Sequence, residues 1–261
     1  MPFLTAGDPD LAWTREALPA IATAGADLVE VGFPFSDPIA DGPVIQASYT
    51  RALNQGITLD HLFCSIQQVT TSPGWSTPLV AMASYSLIWK KGPERFLDTA
   101  IAAGLSGAVV PDLPVEEADD LSRRCRDRDF KLILLVTPTT STARAERIVA
   151  ACSGFVYVVS VVGITGERSA VSATLCDLLQ RLRSLTDLPL CVGFGVSTPD
   201  QAREIGRLAD GVIVGSALVR RLEAASQPGA RATALQEFTK AVRDMRMALD
   251  PGFSAARVHG P

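Results

Sequence analysis

Short apolar runs rich in β-branched residues alternate with amphipathic segments along the whole chain. The strand-like runs are Pro2–Leu4, Asp27–Val31, Leu79–Met82, Gly107–Val110, Leu132–Val136, Phe155–Ser160, Leu190–Gly193 and Gly211–Val214. Helical patterns lie between them at Leu11–Ala24, Leu59–Val69, Pro93–Ala103, Glu116–Arg128, Thr142–Ala151, Leu175–Leu185 and Pro199–Leu208. A last long helix reads over Ala230–Ala248. Pro93 and Pro199 suit a first helical turn, and Asp10, Asp60 and Thr142 suit caps or first-turn positions. This alternation implies an α/β fold, a parallel sheet with helices outside it. About eight such units in about 250 residues is the pattern of a (β/α)8 TIM barrel. An open doubly wound sheet is the competitor, but no G-x-G-x-x-G follows an early strand. We expect a single barrel domain over residues 1–249 and a loose tail over 250–261, which carries Pro251, Gly252, Gly260 and Pro261.

Composition excludes several function classes. The net charge is −4, and no block of Lys and Arg interleaves with aromatics, so nucleic acid is not an expected partner. No apolar run approaches the roughly 18 residues that span a bilayer. The opening Met1-Pro2-Phe3-Leu4-Thr5 has no basic region followed by a long apolar core, so no signal peptide is read there. Five cysteines (Cys64, Cys125, Cys152, Cys176, Cys191) are scattered without a C-x-x-C pair, far from His61 and His259. That usage points to a reducing cytosol and away from a structural zinc site; no metal is expected.

The stretch Leu28–Pro43 carries the chemistry. An apolar strand holds one carboxylate, Glu30, and empties into a Pro- and Gly-rich loop with Asp37 and Asp41. A carboxylate facing a dry core is costly unless paired or neutral, and its pKa is expected to rise. Such a group can act as acid or base near neutral pH. The plainer reading is a strand-end Glu that caps a turn. Asp37-Pro38 and Asp41-Gly42 could be ordinary turns as well, yet this loop is longer than a barrel needs.

In such a barrel the active site lies at the carboxyl ends of the strands, with phosphate bound at the loops after strands seven and eight. Gly193-Phe194-Gly195-Val196-Ser197 follows strand seven, Gly215-Ser216-Ala217 follows strand eight, and Gly163-Ile164-Thr165-Gly166 follows strand six. Glycine lets backbone N–H groups approach an anion closely. Any one of these is more simply a turn; three together at strand ends favour an anion cradle.

Glu30 through Pro43, with Ile45-Gln46, closely resembles the signature of the tryptophan synthase alpha chain family. Further matching segments are Leu4–Pro9, Val110–Pro114, Gly163–Gly166, Gly193–Ser197 and Gly215–Ala217, nearly the whole length. The resemblance implies a lyase that splits indole-3-glycerol phosphate into indole and glyceraldehyde 3-phosphate by a reversed aldol cleavage, within tryptophan biosynthesis. Glu30 would carry the proton traffic and Asp41 would accept the indole N–H. Thr165, on a mobile loop, would help close the site. Gly166, Gly195, Gly215 and Ser216 match a phosphate cradle, and Phe3, Tyr157 and Phe194 match walls of an indole slot. All three could instead be barrel core, and for Phe3 and Tyr157 the two readings weigh about equally.

The resemblance also implies a beta-chain partner that uses pyridoxal phosphate, in an assembly of two alpha and two beta chains, with no cofactor in this chain. Contact is expected near Asp37 and Pro111–Pro114. The sequence departs from the family in places. The chain as given opens on its first strand without the usual leading helix, and Ser84 and Ser86 replace an aromatic and an Asn. Val162 stands where Ser or Thr is common. Two alternatives stay open: a free-standing indole-3-glycerol phosphate lyase, or a non-catalytic allosteric or binding subunit.

Overall fold

In the computed structural model, which describes residues 1–160, 173–227 and 229–250, each strand-like run forms a strand and every strand pairing is parallel. The first set of neighbours is β1 (Phe3–Thr5), β2 (Val29–Gly32), β3 (Leu79–Met82), β4 (Gly107–Val109) and β5 (Lys131–Ile133). The second is β6 (Leu135–Val136), β7 (Val156–Val159), β8 (Leu190–Gly193) and β9 (Gly211–Val212). β5 and β6 are consecutive pieces of one barrel position, broken at Leu134, whose carbonyl accepts from the Tyr157 N–H at 3.2 Å. On the other side Pro2 bridges Val214, and the Phe3 N–H donates to the Val214 carbonyl at 2.9 Å. The sheet thus closes as a (β/α)8 TIM barrel, and closure pairs the edges that an open sheet would expose.

Helices α1 (Leu11–Thr23), α3 (Leu59–Thr70), α5 (Pro93–Ala102), α6 (Ala118–Asp127), α7 (Thr142–Ala151), α8 (Ala173–Arg183), α9 (Pro199–Gly206) and α11 (Arg231–Leu249) fall where the periodicity places them. Asp10 caps α1, taking the Trp13 N–H at 2.7 Å. Thr58 caps α3 with Asp60 in its first turn, and Ser141 rather than Thr142 caps α7. Three short or unforeseen helices sit over the carboxyl ends of the strands: α2 (Pro43–Asn54), α4 (Tyr85–Lys91) and α10 (Ser216–Leu222). Pro43 opens α2 rather than ending a loop, because a fixed φ and a missing N–H cost nothing at a first helical position.

α2 is anchored to the first strand, and this positions the loop that precedes it. The Arg51 guanidinium donates twice to the fully buried Asp8 carboxylate, at 2.9 and 2.7 Å. The Thr5 and Ser48 hydroxyls meet at 2.6 Å.

Alternation along each strand separates two apolar layers. Val29, Val31, Leu79 and Ala81 face the helices and join the main core. Val80, Val109, Ile133, Tyr157, Cys191 and Ile213 point inward and fill the barrel. Phe33, which begins the loop after β2, packs edge-on against Phe63 and Phe96 at ring separations of 5.4 and 6.5 Å. Phe96→Ala is therefore expected to cost about 3–5 kcal/mol in urea unfolding, against under about 0.5 kcal/mol for a surface change such as Arg207→Lys.

Candidate active site

Glu30 lies between Val29 and Val31, so when those two face the helices its own side chain faces the barrel interior. In register it sits between Phe3 of β1 and Val80 of β3. The residue is 3% exposed, and its Oε1 has no hydrogen-bond partner among the described residues. Burial, and then the nearby Asp41 carboxylate, push its pKa up from 4.5 to about 8. A neutral carboxylic acid in this place is the cheaper form.

Asp41 reaches the same place from the loop after β2. Its N–H donates to the Pro38 carbonyl at 3.0 Å, and the Gln46 side-chain amide from α2 donates to the Asp41 carbonyl at 2.8 Å. Burial, and then the charge of Asp112, raise its pKa to about 6. Asp112 is itself tied down: it accepts from the Ser84 hydroxyl at 2.5 Å and from the Tyr85 N–H at 2.7 Å. Ser84 thus caps α4 and braces Asp112, a use for the hydroxyl where the family resemblance leads one to expect an aromatic ring.

A cavity of about 300 Å³ opens beside Glu30. Phe3, Glu30, Asp41, Tyr157, Phe194, Gly195, Gly215 and Ser216 all line it, so the structure gathers eight of the ten residues singled out from the sequence. The other two, Thr165 and Gly166, lie outside the described residues, as does Val162. Two glycines make room for the aromatic walls. A Cβ on Gly32 would meet the Phe3 ring at 2.4 Å, and one on Gly193 would meet the Tyr157 hydroxyl at 2.3 Å. Tyr157 stacks edge-on with Phe194 at 6.1 Å. Phe194 holds φ 70, a conformation costly for a non-glycine residue and found mostly where function requires it.

The loops opposite Glu30 present backbone donors. Ser160 Oγ donates to the Phe194 carbonyl at 2.7 Å, and Gln201 closes a capping box with Thr198, which fixes the turn after β8. Among the described residues, no hydrogen bond occupies the N–H groups of Gly195, Val196, Gly215 or Ser216. A proton-bearing acid on one side and free amides on the other suit an anionic substrate that needs proton transfer.

A smaller cavity of about 30 Å³ adjoins Asp41 on its far side, lined in part by Asp37, Ser84, Pro111 and Asp112. Ile39 at its rim is 89% exposed, and nearby Trp89 on α4 is 67% exposed. Among the described residues no three His, Cys, Asp or Glu side chains gather as a metal site, and no helix is long and apolar enough to cross a membrane.

Lining residues that escaped the sequence reading include Tyr49, Met82 and Arg220. Each had a periodic signal. Met82 lies two residues beyond inward-facing Val80, Tyr49 lies one turn after Ile45, and Arg220 lies one turn after Ser216. The Tyr49 phenol is buried, and its pKa is raised by burial, then by Asp41 and Glu30.

The Glu30 shift has a consequence for stability. Between 4.5 and about 8 the folded chain keeps a proton that the unfolded chain has lost, so stability falls as pH rises through that window and levels above it. Glu30→Gln removes this contribution. Its melting temperature relative to the unsubstituted chain is expected to climb by several degrees from about pH 5 to about pH 8, measured by scanning calorimetry.

Comparison with known proteins converges on one family. The family model described as tryptophan synthase alpha chain matches residues 1–249. The tryptophan synthase alpha chain of Rhodopirellula baltica is 50% identical over 257 residues, covering 96% of this chain and 92% of the relative. That of Picosynechococcus is 45% identical, covering 94% and 92%. A crystal structure of the alpha subunit from Legionella pneumophila superposes with a TM-score of 0.85 at 35% identity, over 96% of this chain and 92% of the other. Fold, cavity and relatives agree, and this chain belongs to the tryptophan synthase alpha chain family.

Proposed function

We propose that this chain cleaves indole-3-glycerol phosphate to indole and glyceraldehyde 3-phosphate, as the alpha subunit of a tryptophan synthase. The observation that carries the reading is a buried Glu30 carboxyl, its Oε1 without a partner among the described residues, sharing one cavity with backbone amides that no described residue engages. Indole is a poor leaving group until carbon 3 of its ring is protonated. Glu30, neutral at the outset, gives its proton to carbon 3, and the ring becomes a cation able to accept electrons. The new carboxylate then takes the proton of the glycerol hydroxyl. The oxygen electrons form the aldehyde carbonyl, the carbon–carbon bond breaks, and its electron pair restores the indole ring. The proton leaves and returns through one group, so no other acid is needed.

Asp41 accepts the indole N–H and offsets the charge developing on the ring. Phe3, Tyr157 and Phe194 hold the flat ring between them. Gly195, Gly215 and Ser216 receive the phosphate, and the family resemblance assigns Gly166 and Thr165 to the same end of the substrate. The reaction asks for no cofactor in this chain. The chain works in the cytoplasm beside a pyridoxal phosphate-dependent beta chain, as two alpha and two beta chains. Exposed Ile39 and the adjoining Asp37 and Pro111 suit that contact. The barrel domain spans residues 1–249.

Indole release from indole-3-glycerol phosphate, with and without a beta chain, tests the reading. Weak activity alone that rises with the partner is the expected result, and absence of indole in both conditions would overturn it. Glu30→Gln is expected to lower kcat by about a hundredfold or more, and Asp41→Asn by about a hundredfold. The pH profile of kcat/KM should rise near about 6 as Asp41 ionises and fall near about 8 as Glu30 loses its proton. A profile flat across that range would remove Glu30 and Asp41 from these roles.

A further inference from the structure

Among the described residues, three ionisable side chains of the types Asp, Glu, Lys and Arg line the main cavity: Glu30, Asp41 and Arg220. A phosphomonoester carries a charge near −2 at neutral pH and would enter a mouth that already holds two carboxyl groups. Backbone amides offer that anion dipoles but no net charge. Arg220 is the one full positive charge among the described residues of the lining.

Its position follows from the helix that carries it. Arg220 is four residues after Ser216, so the two share a face of α10, and both line the cavity. Leu218, Val219 and Leu222 turn the opposite face into the core, Val219 against the cluster that holds Phe3. The neighbouring Arg221 is spent on the Ala217 carbonyl, Arg51 on Asp8 and Arg231 on Asp10. No carboxylate or carbonyl among the described residues takes the Arg220 guanidinium. It stands exposed at the rim, and a planar guanidinium can grip two phosphate oxygens at once.

We infer that Arg220 is the charge-matching residue of the cavity: it draws the phosphate end of the substrate toward α10 and discriminates phosphorylated from unphosphorylated ligands. With the anion held at that end, the aromatic ring is left to enter toward Glu30 and Asp41. The inference rests on the proposed substrate for its role in turnover, but its preference for a phosphate anion is separable from the lyase chemistry.

The test uses the full chain, inorganic phosphate as the probe, and the variants Arg220→Met and Arg220→Lys. Arg220→Met is expected to weaken phosphate binding by titration calorimetry about tenfold, the scale of one exposed charge-assisted contact. Arg220→Lys should recover part of the loss. In turnover, KM for indole-3-glycerol phosphate should rise about tenfold in Arg220→Met while kcat falls less than about threefold, and the dependence of KM on ionic strength should flatten. Affinity for indole, which is uncharged, should move less than about twofold. Equal phosphate affinity and equal KM in the parent and Arg220→Met would overturn the inference. So would a loss of indole affinity as large as that of phosphate, which is the mark of a structural role. If the parent chain releases no indole while its phosphate binding still depends on Arg220, the proposed reaction fails and the anion site stands. If it turns over normally and phosphate binding ignores Arg220, this inference alone fails.

Discussion

Glu30 occupies a row of side chains pointing into the barrel, between Phe3 and Val80, where it is almost wholly buried. Ionising a group in that place is costly, and its pKa stands near 8 for that reason. A core position filled by a carboxylic acid has to be supported by the packing around it. Val29 and Val31 on the same strand hold β2 in the main core, so the strand cannot roll to expose Glu30. A shift of register by one residue would turn the carboxyl toward the helices and a valine toward the cavity.

The loops at the carboxyl ends of the strands are built to the same purpose, and each is fastened by a different interaction. Phe33 roots the loop after β2 in an aromatic cluster, and Gln46 ties it back to α2. Ser48 and Arg51 in turn bind α2 to the end of β1 and to the segment after it. Ser160 and the Thr198–Gln201 box fix the turn after β8 and hold Phe194 in its unusual conformation. Strain at Phe194 is tolerated because the turn on both sides of it is fastened.

Charge is graded across the site. Asp112, Asp41 and Glu30 each raise or feel the next carboxylate, and the series runs from the braced, outer Asp112 to the neutral, inner Glu30. Arg220 and the backbone amides of the turns after β8 and β9, which no described residue engages, also line the cavity. A substrate with an apolar ring at one end and an anion at the other meets a matching polarity. The gradient depends on distances between loops from opposite halves of the chain, from β2 through β9.

Much of this was legible in one dimension. Strand and helix alternation reports burial at periods of two and 3.6, so the eight barrel positions and most helices could be read directly. Glu30 stood out because a carboxylate inside an apolar run violates that periodicity, and the paired glycines stood out at strand ends. α2 was harder: its first turn begins with the same Pro and Gly that mark a loop, and only the burial of Ile45, Ser48, Tyr49 and Ala52 distinguishes it. Met82, Tyr49 and Arg220 belong to ordinary periodic stretches, and nothing local separates them from core or surface residues. The sequence by itself determined which strands form, which way Glu30 faces and which loops carry glycine, since those depend on neighbours a few residues apart. Closure of the barrel decided that β1, β2, β7, β8 and the turn after β9 share one cavity, because the parallel pairing of Pro2 with Val214 brings the ends of the chain's ring together.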